Sequence, residues 1–308
     1  MTKHTQSAFI FPAFINEYPE NPFNGSQELQ ARFQYLLTEA SLIIDHDLAD
    51  FDFISNDFLR DELKTQYLTY IYSCAAADIL SEKKIIPSYS AGYSMGIYAA
   101  LVHAKVVTFG DGLLLIKNAY ETIRNIVQDK KYGMCSIIGL SRNDITGLIT
   151  SLNLHVEITN QNSNFAFVIS GLHCDILTLL EVAKAEGALH THLLNVSLPY
   201  HSDYLKETKP AFFDFIETIR FANPQTKLIS LVDQQIFSDR ADIKEEVIKN
   251  LFTPLNWFHT QSELLRTGVN LFIECGLGKN LAKNSKFIEG DYKFSNACDY
   301  IKNLNCLL

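Results

Sequence analysis

Cationic side chains are scarce in this 308-residue sequence: 26 Lys+Arg stand against 35 Asp+Glu, a formal net charge of −9. A chain with no basic excess has no field to gather phosphates, which argues against double-stranded nucleic acid and anionic membrane surfaces as partners. Paired cysteine motifs are lacking too. The six cysteines (Cys74, Cys135, Cys174, Cys275, Cys298 and Cys306) form no CxxC and have no histidine at ligand spacing, so neither a metal site nor a disulfide framework is expected. No apolar run approaches the roughly 18 residues of a membrane span. The start, Met1 to Ser7, is polar and Pro12 cuts off the apolar run that follows, so no signal peptide is expected and the reading is cytoplasmic.

What is present is an ordinary globular mixture, 47% hydrophobic and 20% charged. That length fits two domains or one domain with an insertion. Ser7–Pro12 reads as a buried strand. Helical spacing of apolar residues marks Gln27–Ile44 and Asp61–Leu80. A strand around Ile85–Ala91, the turn Gly92-Tyr93-Ser94-Met95-Gly96 and a helix from Ile97 to Ala104 follow, then a helix from Asp111 to about Gln128. Between residues 131 and 195 the order strand, helix, strand, strand, helix, strand describes a ferredoxin-like subdomain. Helix–strand alternation resumes afterwards: a helix over Ser202–Ile219, a strand over Lys227–Val232, helices over Asp242–Leu251 and Leu255–Thr267, and a strand over Asn270–Cys275. The expected division is therefore a core from 1–130 and 196–308 with an insert at 131–195.

The turn at 92–96 carries the chemistry. A serine hydroxyl is a weak nucleophile unless a strained strand-to-helix turn projects it, with glycines either side permitting close approach. At such a turn the N–H after the serine lies at a helix start and faces a developing oxyanion. A base is needed, and of nine histidines the sequence favours His201, in the loop Asn195–Ser202 beside Pro199. His4 and His46 read as solvated, His103 and His173 as surface positions, and His155, His190 and His192 as members of insert strands. The fragment Gly276-Leu277-Gly278-Lys279 lacks the full phosphate-loop spacing and reads as a turn, and the acidic residues Asp45, Asp47, Asp50 and Asp52 lack the glycine and closing Glu of a calcium loop.

Several segments occur together in order: Phe9-Ile10-Phe11-Pro12, Thr65-Gln66, Ala91 to Leu101, Gly133-Met134, Asn160-Gln161-Asn162-Ser163, Asn195 to His201, Phe252-Thr253-Pro254 to Trp257, and Glu274 to Lys279. This series resembles the malonyl-CoA:acyl carrier protein transacylases and the related acyltransferases of polyketide synthases, from about Phe9 to Ile288. The resemblance implies an α/β hydrolase-like core with parallel sheet and helices plus the ferredoxin-like insert. It also implies a Ser94–His201 dyad, an oxyanion hole from the N–H groups of Met95 and Phe14, and a backbone carbonyl at Asn250 orienting His201. Acyl-CoA and a phosphopantetheine thioester would be substrates, with acyl carrier protein as partner, no tightly bound cofactor, no metal, and a monomeric state.

The departures bear on substrate. The family's arginine for the malonyl carboxylate aligns with Ala119, and neither Lys117 nor Arg124 is at the same helical angle. Tyr93 replaces the usual histidine before the nucleophile, Ile97 replaces a glutamate, and Ala13-Phe14-Ile15-Asn16-Glu17 replaces a glycine- and glutamine-rich loop. An acyl pocket of Tyr93, Ala119, Tyr200, Asn160 and Asn162 is expected to take a monocarboxylic acyl group. The alternatives are an acyl-thioester hydrolase clearing stalled carriers, malonyl transfer despite Ala119, or a non-catalytic carrier-docking module. Lys279, Lys283 and Lys286 are candidates for a local basic patch.

Overall fold

In the computed structural model, residues 6–13, 20–45, 47–48, 51–53, 58–127 and 130–305 are described. Phe14 and the rest of 14–17, His4, His46, Asp50 and Cys306 lie outside them. The elements are β1 (Gln6–Phe11), α1 (Gln27–Ile44), α2 (Glu62–Glu82), β2 (Tyr89–Gly92), α3 (Gly96–His103) and α4 (Phe109–Ile126), then β3 (Tyr132–Ile138), α5 (Arg142–Ser151), β4 (Val156–Ser163), β5 (Ala166–Leu172), α6 (His173–Ala185) and β6 (His190–Leu193). The chain continues with α7 (Lys209–Thr218), β7 (Lys227–Ile229), β8 (Ile236–Phe237), α8 (Arg240–Phe252), β9 (Leu255–Asn256), α9 (Trp257–Arg266), β10 (Val269–Glu274), α10 (Asn280–Asn284), β11 (Lys293–Asn296) and α11 (Ala297–Asn305).

Two sheets organise these elements. The larger has the order β11-β10-β1-β2-β7-β8, parallel except for the β7–β8 hairpin. Its central strand β1 (Ala8, Phe9, Ile10, Phe11) is fully buried, as a parallel strand covered on both faces must be. Beside it α2 is buried through nearly every position from Thr65 to Ala77, because α1, α3, α4 and α11 all pack on it. The expected helix at 202–219 is divided: a 3-10 segment, Asp203–Thr208, precedes α7, whose Pro210 stands in its first turn.

The smaller sheet, β6-β3-β5-β4-β9, is antiparallel except for β9, which runs parallel to β4. Residues 255–256, expected to open a helix, form this edge strand. A strand from the core segment thus joins the small sheet, and a division at 131 and 195 does not separate the two sheets. One face of the small sheet (Cys135, Ile137, Phe167, Ile169) packs with Ile145 of α5 and Ile176 and Leu179 of α6. The alternate residues point the other way, towards Ser94.

Candidate active site

Local backbone geometry builds the site. Ser94 sits between β2 and α3 with φ of 54°, a left-handed conformation that a non-glycine residue adopts at a cost of order 1–3 kcal/mol. The flanking glycines are required by contact. A Cβ at Gly92 would stand 2.3 Å from Ile97 Cα, and one at Gly96 would stand 2.0 Å from the Phe11 carbonyl oxygen. Strand β1 therefore touches the first turn of α3, and Tyr93 N–H donates to that same Phe11 oxygen at 2.8 Å. Met95 stands at the N-cap of α3, a position whose N–H has no intrahelical acceptor.

Ser94 Oγ lies 2.7 Å from His201 Nε2, and His201 Nδ1 lies 2.6 Å from the Asn250 carbonyl oxygen. A carbonyl only accepts, so Nδ1 carries the ring proton and Nε2 is left to accept from the serine. The acceptor is available because Asn250 lies in the last turn of α8, where carbonyls lack intrahelical partners. The next carbonyl, Leu251, accepts from His201 N–H at 3.1 Å, so one helix end fixes both ring and backbone of the histidine. His201 has φ of 60° and is 2% exposed; burial pushes its pKa down to about 4, opposed by the bond to Asn250. Its loop is tied to α2, since Glu62 Oε2 accepts from Ser197 N at 2.8 Å and from Ser197 Oγ at 2.7 Å.

A cavity of about 470 Å³ opens on Ser94 and His201. Tyr93, Tyr200, Asn160 and Asn162 line it. The Tyr93 hydroxyl donates to Asn162 Oδ1 at 2.8 Å and accepts from Asn160 Nδ2 at 3.0 Å, and burial pushes its pKa up to about 12. Ala119 does not belong to that lining, contrary to expectation. It is fully buried on α4 in the same apolar cluster as Tyr200, whose hydroxyl accepts from Gln66 Nε2 at 3.0 Å. Position 119 is therefore core, outside the cavity lining. Lys117 and Arg124 also stand outside the lining.

Other expectations resolve differently. His103 is no surface residue: its Nδ1 lies 2.8 Å from Ser90 Oγ, its ring packs on Phe9 at 4.9 Å, and burial pushes its pKa down to about 4. Lys279 pairs with Asp299 at 3.0 Å, whereas Lys283 lines the main cavity. His190 and His192 line it too, a role their alternation with apolar residues signalled only as a common face. Among the described residues no three His, Cys, Asp or Glu side chains are placed to hold a metal, and no helix is long and apolar enough to cross a membrane.

A mainly parallel α/β sheet with a strained serine on its strand-to-helix turn, joined to a small antiparallel sheet, defines the class of α/β acyltransferases. The comparisons with known proteins specify it further. The chain is 30% identical over 213 residues to a malonyl CoA-acyl carrier protein transacylase of Bacillus subtilis (strain 168), covering 68% of this chain and 67% of that one. It is 27% identical over 298 residues to the transacylase of Staphylococcus aureus (strain MW2), covering 94% of this chain and 95% of the relative. The solved acyl-carrier-protein S-malonyltransferase of Burkholderia pseudomallei 1710b superposes with a TM-score of 0.85 at 28% identity, over 99% of this chain and 100% of that one. No protein-family model matches. The chain belongs to the malonyl-CoA:acyl carrier protein transacylase family and is an acyltransferase.

Proposed function

We propose that this chain moves a monocarboxylic acyl group from acyl-CoA to the phosphopantetheine thiol of an acyl carrier protein, in fatty-acid or polyketide assembly, through an ester on Ser94. The observation that carries the reading is the Ser94–His201–Asn250 carbonyl relay in a cavity that, among the described residues, is lined by no arginine. His201 Nε2 takes the Ser94 proton as Oγ attacks the thioester carbonyl. The oxyanion is met by the Met95 N–H and, on the family pattern, that of Phe14. Collapse breaks the C–S bond, and His201 returns its proton to the departing thiolate. In the second half, Nε2 deprotonates the carrier thiol, the thiolate attacks the Ser94 ester, and the proton goes back to Oγ. The Asn250 carbonyl holds the tautomer and steadies the transient imidazolium, the part an aspartate plays in a triad.

A malonyl carboxylate in this cavity would need a bidentate cation. Among the described lining residues no arginine supplies one, Lys283 is a point charge without the bidentate fork, and the Tyr93 hydroxyl is already engaged by Asn160 and Asn162. Desolvating an unpaired carboxylate costs several kcal/mol, enough to outweigh the remaining contacts of so small an acyl group.

The test is intact-mass detection of the acyl-enzyme with acetyl-, hexanoyl- and malonyl-CoA. An adduct is expected with the first two, little or none with malonyl, and none on Ser94→Ala. Malonyl loading as strong as acetyl loading overturns the specificity, and no adduct with any donor overturns the enzyme reading in favour of a docking module. Adding holo carrier protein then separates transfer to thiol from loss to water.

A further inference from the structure

The loop Asn195–Ser202 carries His201 from the small sheet back to the core. Just before it, Leu194 N–H still donates to the Met134 carbonyl of β3 at 2.9 Å, and near its end His201 N–H donates to Leu251 of α8 at 3.1 Å. Between these the loop meets α2 at two points. Ser197 donates from N and from Oγ to Glu62 Oε2 at 2.8 and 2.7 Å, and the Tyr200 hydroxyl accepts from Gln66 Nε2 at 3.0 Å. Glu62 and Gln66 are four residues apart on α2, so they stand one turn above the other on the face turned to the loop. Neither Glu62 nor Ser197 lines the cavity.

His201 needs such support. Its φ of 60° is a left-handed conformation that a non-glycine residue keeps only where its surroundings over-determine it. The end of α8 fixes the ring through Nδ1 and the backbone through N–H, but both bonds are made to His201 itself and leave the residues before it free to follow the strain. Val196 and Leu198 pack in the core on either side of Ser197, which gives the loop adhesion without direction. The bonds to Glu62 supply the direction. Glu62 stands in the first turn of α2, where the helix end favours a carboxylate; burial pushes its pKa above the usual carboxylate range and the two bonds from Ser197 pull it back. Its other oxygen, Oε1, is buried without a hydrogen-bond partner. A half-satisfied, desolvated carboxylate is a poor device for stability, so its place is better explained by what it holds.

We propose that Glu62 is a positioning residue for the chemistry at Ser94: by holding Ser197 it keeps the His201 loop in the conformation that brings Nε2 to Ser94 Oγ. The inference rests on the acyl-transfer reading above for the reaction in which the effect is felt. With Ser197 held, Nε2 lies 2.7 Å from Oγ. With Ser197 released, the strain at His201 relaxes through the loop and base and nucleophile part, while the cavity walls keep their places. Glu62 therefore acts on the proton transfer and not on the binding of the donor.

Two readouts on the full chain test this, both by quenched intact mass. One is the rate of Ser94 phosphonylation by a small fluorophosphonate, which reports the Ser94–His201 pair without coenzyme A; the other is the maximal rate and the half-saturating concentration for Ser94 acylation by acetyl-CoA. Glu62→Ala is expected to lower both rates about tenfold or more, the worth of a charge-assisted bond, with half-saturation within about twofold of the wild type. Glu62→Gln, which keeps an acceptor oxygen for Ser197, retains about a third or more of both rates. Ser197→Ala falls less than Glu62→Ala and adds nothing to it in the double variant, because the two act through one contact. Unchanged rates in Glu62→Ala, a change confined to half-saturation, or a loss in Glu62→Gln equal to that in Glu62→Ala overturns the proposal. Should Glu62→Ala not fold, Ser197→Ala decides: a fall of about threefold or more in both rates upholds the latch and unchanged rates overturn it. A wild type that is phosphonylated at Ser94 but takes no acetyl group marks the separate failure of the acyl-transfer reading, and the phosphonylation rates then judge Glu62 alone.

Discussion

Acylation of Ser94 should hold its neutral-pH rate down to about pH 5 and fall only as the pH approaches 4. The base must be neutral to accept the serine proton, and burial keeps His201 neutral to about 4 against an ordinary value of 6.5. That displacement corresponds to about 3 kcal/mol against the buried imidazolium. The same displacement links to stability with a definite sign. Between pH 6.5 and 4 the unfolded chain binds a proton at His201 that the native state refuses, so this group's stabilisation is complete above 6.5 and is lost as pH falls towards 4. His103 has the same direction. Glu246 and Glu274 have the opposite one: burial pushes both up to about 7, so the native state gains protons first as pH falls from 7 to 4.5. Two losses and two gains of similar size offset each other, leaving the fold intact where the kinetic inflection is to be read. The assay is single-turnover acylation by acetyl-CoA from pH 3.5 to 8, with far-ultraviolet circular dichroism at each pH. An inflection near 6.5 in folded protein would refute the argument, because it would mean a solvated imidazole acts as base.

Gly96→Ala forces a Cβ to 2.0 Å from the Phe11 carbonyl, so soluble folded protein should be lost, whereas Gly147→Ala in α5, where a Cβ meets nothing within 4 Å, should raise stability by about 0.5–1 kcal/mol in a denaturant melt. Tyr93→Phe strands Asn160 Nδ2 and Asn162 Oδ1 in the cavity wall; a loss of about 2 kcal/mol by urea titration is expected, and an unchanged midpoint would show that water replaces the hydroxyl. Glu246→Gln removes a buried carboxylate that ionises near 7, so its gain over wild type should be about 2–3 kcal/mol at pH 8 and vanish towards pH 4.5; a gain independent of pH would contradict the titration.

How legible each part was follows from the kind of signal it leaves. Gly92 and Gly96 are side-chain absences forced by contact with Ile97 and Phe11, so the elbow stands out as a pattern of residue types. The partner of His201 leaves no such trace, because a main-chain carbonyl at the end of α8 is available whatever side chain residue 250 carries; only the family resemblance pointed to it. The period-2 alternation of His190 and His192 is visible, yet which face of the small sheet meets a cavity depends on the other face, through β3 and β5, packing against α5 and α6. Strand β9 is two residues long and shows no usable period, whereas α2 was legible from its helical spacing although it is buried nearly all round. Alignment identified Ala119 as the position of a missing cation, but not that it lies buried in the helix-packed core, outside the cavity lining.

That last point alters what the missing arginine means. Restoring the cation alone, Ala119→Arg, would drive a charged side chain into a fully buried site, and the expected result is destabilisation without malonyl use. The pocket's selectivity is written in how its polar groups are already engaged. Tyr93 is held by two asparagines and Tyr200 by Gln66, and Asn160 Oδ1 in the cavity lining is a buried acceptor without a hydrogen-bond partner. An acceptor repels a carboxylate. On the proposed reading that atom disfavours a dicarboxylic acyl group whatever residue 119 carries, so malonyl loading gained by folded Ala119→Arg in the intact-mass assay would refute it.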